Sequence, residues 1–195
     1  MKQHSVIIVP GLSDRTLGIK IVVAWWHLFG LQPLVLPVIW KEGKFKDKLD
    51  MILGYIEALS NAGHDISLIG ISAGGSAVLN AYIERPGSIK RIVSICGYLR
   101  NNAGEDQTSF KKHATENPAF GESVSLFEKR ENELINQDRK KILTVRARFG
   151  DELIPDRAAF LVGATNLQIF SRGHALSIAL ALTLYFNRII SFLKP

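Results

Sequence analysis

The sequence predicts a three-layer α/β/α fold, a doubly wound and mainly parallel six-stranded sheet with helices on both faces. Three observations carry that expectation. Short runs rich in β-branched residues alternate with helical patterns along nearly the whole chain. Most of these runs are continuously apolar rather than alternating, as strands covered on both faces require. The chain has 195 residues, 47% of them hydrophobic and 22% charged, which is enough for one good core and short for two. Residues 1–195 therefore read as a single domain.

The elements follow in order. The first strand is expected over 5–9 and ends at Pro10-Gly11-Leu12. The long apolar stretch 21–40 is broken by Gly30, Gln32, Pro33 and Pro37, so it reads as the end of a helix over 17–29, a turn and a strand over 34–39, not as a membrane span. The clearest helix is 46–62: Phe45, Leu49, Ile52, Leu53, Ile56 and Leu59 form one stripe at helical spacing, and Gly63 stops it. A strand over 66–71 then passes through Gly70-Ile71-Ser72-Ala73-Gly74 into a helix over 73–84. The next strand, 91–95, ends at Cys96.

The segment 97–141 breaks the rhythm. It is polar and charge-dense, with helices expected near 106–114 and 122–136. It follows a strand's C-terminal end, where insertions cover the ligand crevice of such folds, so it reads equally as a cap or as a longer helical crossover. A strand over 142–149, a helix over 155–162 started by Pro155, a strand over 167–170 and a helix over 175–193 complete the chain. The last is apolar but interrupted by Asn187 and Arg188, which favours a buried helix over a spanning one.

Charge and composition exclude several classes of function. The net charge is +6 and the pI near 9.5, yet basic and acidic residues are interleaved, as in "FEKRENELINQDRKK". No basic run carries aromatic residues at stacking intervals, so nucleic acid is not an expected partner. An acidic protein carrier is the macromolecular partner the charge leaves room for. One cysteine, Cys96, allows no internal disulfide and favours a reducing compartment. The apolar run before Pro10 is too brief for a signal-peptide core, and the expected location is cytoplasmic. No spacing of His, Cys and carboxylates marks a metal site, and no phosphate loop or dinucleotide fingerprint occurs. No cofactor is expected. Cys96, with no basic flank, reads as a small buried residue, and Trp25, Trp26, Trp40 and His27 read as packing. Arg146 and Arg148 are unusual for a central strand and place it near a sheet edge or pair it with acceptors.

Gly-x-Ser-x-Gly decides little in a chain with 16 glycines. A serine hydroxyl is a poor nucleophile and needs a base, a group to orient the base, and donors for the oxyanion. In a parallel sheet all strand C-termini share one edge, so those partners must come from other strand ends. Asp151 directly follows the strand "ILTVRARFG"; Glu152 is its neighbour, and Asp156 can instead favour the start of the next helix. His174 follows the last strand. His4 and His64 belong to the opposite edge, and His113 lies in the polar insertion. The Leu12 N–H, after a tight turn at Gly11, and the Ala73 N–H, at a helix start, would make an oxyanion hole. The order Ser72, Asp151, His174 is that of a strand–turn–helix nucleophile elbow.

With those residues in place the sequence resembles the α/β-hydrolase superfamily, in a compact form lacking the first two strands of larger members. The resemblance runs from Pro10-Gly11-Leu12 through "GISAG" and "GDELIP" to "GHALS". It implies Ser72 as nucleophile, Asp151 as acid, His174 as base, and backbone donors at Leu12 and Ala73. The oxyanion loop departs from the His-Gly of many relatives. "SAGGS" is similar to hormone-sensitive-lipase-type esterases, but their glycine run is missing. The implied activity is hydrolysis of a small acyl ester through an acyl-enzyme. A thioesterase, an acyltransferase or a non-catalytic binding protein of the same fold stands as the alternative.

Overall fold

A computed structural model describes residues 2–13, 16–101 and 107–194. Its six strands are β1 (His4–Val9), β2 (Leu31–Val35), β3 (Asp65–Ile71), β4 (Ile89–Ile95), β5 (Ile142–Ala147) and β6 (Thr165–Ile169). They form one parallel sheet in the order β2-β1-β3-β4-β5-β6. The continuous apolar runs are buried on both faces: Val6, Ile7, Ile8 and Val9 of β1 are each 0% exposed. Burial of that kind is worth about 1.5–3 kcal/mol per side chain. Helices α2 (Phe45–Asn61), α3 (Gly74–Glu84) and α5 (Pro118–Arg130) pack together on one side of the sheet. The helices α1 (Leu17–Ala24), α7 (His174–Thr183) and α8 (Phe186–Leu193) pack together as a second group. The chain leaves β1 on one side for β2 and returns across it for β3, so the sheet's switch point lies between the C-terminal ends of β1 and β3. Ligands of open parallel sheets bind in that crevice.

Several boundaries differ from expectation for identifiable reasons. β2 starts three residues early because it is an edge strand, where Pro33 is tolerated without a donor. The turn is Gly30 alone, at φ 72°. The first helix tightens into a 3-10 segment, Trp25–Phe29, which buries Trp26 but leaves His27 exposed rather than packed. The expected helix over 155–162 is one 3-10 turn, Asp156–Ala158. Its carbonyls are taken by other partners: Ala158 O accepts from Leu99 N, Phe160 O and Arg157 O from Arg100, and Val162 O from Arg139. The C-terminal helix breaks by 62° between α7 and α8. There Phe186 turns onto Trp25, with ring centroids 4.2 Å apart. Among the described residues no single helix is long and apolar enough to cross a membrane.

The insertion divides in two. Helix α5 is bolted to α3 by Ser123 Oγ and Ser76 Oγ at 2.8 Å and by Asn80 Nδ2 donating to Ser123 O at 2.9 Å, all three residues being buried. It serves as the crossover between β4 and β5, continued by a 3-10 turn, Glu131–Glu133, and a short α6 (Asn136–Arg139). Helix α4 (Gln107–Glu116) reaches the cavity at the C-terminal edge through Phe110 and His113. Asp106, the expected start of that helix, lies outside the described residues.

At the opposite edge His4 Nε2 meets Ser67 Oγ at 2.8 Å, and burial pushes its pKa below the ordinary 6.5, with Asp65 opposing and Lys194 and Lys90 adding to the shift. The unfolded chain therefore takes up this proton first as the pH falls below 6.5, and stability declines there. A lower Tm at pH 5 than at pH 8, with the difference reduced in His4→Gln, is the expected result of a thermal melt series.

Candidate active site

Ser72 sits between β3 and α3 at φ 53°, a left-handed conformation that costs an L-residue about 1–3 kcal/mol. The surrounding backbone holds it there. Ser72 N donates to Ile95 O at 2.9 Å, and Ser72 O accepts from Gly75 N at 2.9 Å and Tyr98 N at 3.3 Å. The flanking glycines are required by close approach: a Cβ on Gly70 would overlap the Gly74 carbonyl, and one on Gly74 would overlap the carbonyl of Val9. Strand, turn and helix are thereby drawn tight enough to lift the serine clear of the sheet.

The other strand ends converge on it. His174 Nε2 lies 3.0 Å from Ser72 Oγ, and His174 Nδ1 lies 2.8 Å from Asp151 Oδ2. The imidazole and carboxylate side chains are 10% and 6% exposed, so little water competes for either bond. Asp151 is held from behind, its Oδ1 accepting from Leu153 N at 2.9 Å and Ile154 N at 3.1 Å. A carboxylate facing Nδ1 places the ring proton there and turns the Nε2 lone pair toward the hydroxyl. The loops are tied together where Gly173 N donates to Gly150 O at 2.9 Å. Glu152, the sequence competitor, has a different place: its Oε2 accepts the His174 backbone N–H at 2.8 Å and caps the start of α7. Asp156 pairs with Arg146. Leu12 and Ala73 flank Ser72, Leu12 on the cavity wall and Ala73 just ahead of α3. Among the described residues neither N–H donates to a backbone carbonyl.

A cavity of about 350 Å³ opens over Ser72 and His174. Leu12, Ile19, Tyr98, Phe110, Phe120 and Ile178 line it, and Tyr98, Phe110 and Phe120 pack ring against ring with centroids 5.0–5.9 Å apart. His113, from the polar insertion, stands on the same wall. A larger depression of about 970 Å³ lies at the other sheet edge among His4, His27, Lys90 and Lys194. It adjoins none of Ser72, Asp151 and His174, so chemistry rather than size marks the site.

Cys96 is closer to this centre than its place in the sequence implied. It is the second non-glycine residue at positive φ, 45°, and its sulfur, an Asp151 oxygen and a His174 nitrogen all lie within 4.8 Å of one another. Three such ligand types could in principle hold a metal. Here the Asp151 oxygens are engaged with Leu153, Ile154 and His174, and burial together with the Asp151 charge pushes the thiol pKa far up, keeping it protonated. Asp151 and His174 are committed to the hydrogen-bonded chain with Ser72.

The same architecture occurs in solved structures. The metagenome-derived lipolytic enzymes LipS and LipT supply one, with a TM-score of 0.73 at 14% identity over 99% of this chain and 94% of that one. The ydeN gene product of B. subtilis gives 0.67 at 14% identity, with all of both chains covered. Est1E from Butyrivibrio proteoclasticus with ferulic acid bound gives 0.63 at 16% identity, over 97% of this chain and 90% of that one. The chain has the α/β-hydrolase fold. No protein-family model matches it, and no curated protein matches it by sequence. Within the α/β-hydrolase fold, the elbow after β3 and the loops after β5 and β6 carry Ser72, Asp151 and His174.

Proposed function

We propose that this protein is a serine hydrolase that cleaves carboxylic esters through an acyl-enzyme on Ser72. The observation that carries the reading is the chain Ser72 Oγ, His174 and Asp151, at 3.0 and 2.8 Å, opening onto an apolar cavity. His174 Nε2 takes the hydroxyl proton as Oγ attacks the acyl carbon, and Asp151 stabilises the imidazolium that results. The Leu12 and Ala73 amides receive the oxyanion. Collapse of the tetrahedral adduct breaks the bond to the leaving oxygen, which departs with the proton from His174. Water, deprotonated by the same imidazole, then attacks the acyl group and releases the acid and Ser72. Thioesters pass through the same steps, and an alcohol in place of water gives acyl transfer. Helix α4 acts as a partial cap of the single domain.

A fluorophosphonate probe tests the reading directly. Labelling of wild type and not of Ser72→Ala supports an activated nucleophile, whereas an unlabelled wild type counts for a binding protein of the same fold.

The cavity wall narrows the substrate. Three aromatic rings fit a compact apolar or aromatic acyl group, the kind of molecule that Est1E holds as ferulic acid. In a mostly apolar pocket a few polar groups fix orientation, and His113 on the cavity wall is placed for that role. A 4-hydroxyphenylpropanoate ester is expected to be cleaved about three- to tenfold more efficiently than the unsubstituted ester, one hydrogen bond's worth. His113→Phe should remove the preference, read as the ratio of kcat/KM for the pair.

A further inference from the structure

The oxyanion loop is held by a tryptophan from outside the site. Trp40 lies beyond β2, only 2% exposed, and its Nε1–H donates to the Gly11 carbonyl at 2.9 Å. Its ring stands edge-on to Phe120, centroids 6.5 Å apart at 88°. The bond is not a mere consequence of burial. Trp26 is as deeply buried, and its Nε1 has no partner among the described residues.

The carbonyl that Trp40 engages belongs to the same peptide plane as the Leu12 N–H. No described peptide is cis, so the two point in opposite directions across that plane. Gly11 also abuts the nucleophile, since a Cβ built on it would lie 2.9 Å from Ser72 Cβ and 3.3 Å from Ser72 Oγ. Only glycine fits there, and glycine leaves the plane free to swing. Engagement of the carbonyl removes that freedom, and donation to it also polarises the amide toward a stronger N–H donor.

We propose that Trp40 is a positioning residue for the oxyanion hole, setting the direction of the Leu12 N–H through the Gly11–Leu12 peptide. The inference rests on the reading of Ser72 as nucleophile and Leu12 as oxyanion donor. A donor that develops its bond only when charge forms on the carbonyl oxygen affects the transition state, not the bound ester.

Trp40→Phe keeps an aromatic ring and removes the N–H. With p-nitrophenyl butyrate the expected loss in kcat is on the order of tenfold, part of the effect of deleting a whole donor, with KM within about twofold. Affinity for a trifluoromethyl ketone, whose serine adduct carries the oxyanion, should fall by a similar factor. Affinity for the intact ester, measured in Ser72→Ala with and without Trp40→Phe, should hold. Equal losses for ketone and ester, or an unchanged kcat, overturn the proposal. Should Trp40→Phe not fold, benzothienylalanine at position 40, which replaces the N–H by sulfur in a ring of the same shape, takes its place with the same expectations. The Leu12 amide resonance of ¹⁵N-labelled protein separates this inference from the one beneath it. Either replacement should shift it whether or not esters are cleaved; an unmoved resonance overturns the clamp, while a shift in an enzyme without esterase activity overturns the hydrolase reading alone.

Discussion

Ser72→Ala is expected to lower kcat for p-nitrophenyl butyrate by on the order of 10⁵- to 10⁶-fold while leaving the protein folded and able to bind the ester. The loss is large because the His174 and Asp151 chain has no function without the hydroxyl it serves. The stability cost is small because among the described residues the Ser72 side chain makes one hydrogen bond, to His174 Nε2 at 3.0 Å. Alanine meets the same steric resistance as serine at φ 53°. Glycine does not. Ser72→Gly should therefore be equally inactive but more stable by about 1 kcal/mol, a rise of roughly 2–4 °C in Tm for a chain of this size. Active-site titration and thermal melts on the two variants read both effects. If Ser72→Gly were no more stable than Ser72→Ala, the elbow would hold no strain.

The sequence made some of this legible and hid the rest, and the division is physical. The parallel sheet was readable because short, continuous, β-branched apolar runs such as "VIIV" suit strands buried on both faces. The meeting of Ser72, Asp151 and His174 followed from the rule that parallel strand ends share an edge. Non-local competition was not readable. The segment after Pro155 reads as a helix, but Leu99, Arg100 and Arg139 take its carbonyls, and those residues are distant in sequence. Likewise the split of the insertion depends on Ser76, Asn80 and Ser123, a buried polar set with no pattern in either segment alone. Trp40 reads as packing because composition cannot reveal which carbonyl an indole will find. Cys96 reads as inert, which fits its protonated thiol, yet its proximity to Asp151 and His174 comes only from the order of β3, β4 and β5.

Asp151→Asn distinguishes the acid from its neighbours more sharply than any deletion. Asp151 bridges two demands, with Oδ1 accepting two backbone N–H groups and Oδ2 accepting His174 Nδ1–H. An asparagine has one acceptor oxygen for both. If that oxygen keeps Leu153 and Ile154, the amide NH₂ faces Nδ1, which must then accept; the ring proton moves to Nε2 and points at Ser72. The base is lost while the geometry stays, and kcat should fall by about 10⁴-fold with little change in Tm. Glu152→Gln keeps an oxygen for the His174 backbone N–H and should cost less than about tenfold. Asp156→Asn acts only on a partly exposed ion pair with Arg146 and should leave kcat within about twofold. Measuring kcat for the three variants on one ester ranks the candidates. A Glu152→Gln defect as deep as that of Asp151→Asn would mean that Glu152, not Asp151, orients the imidazole.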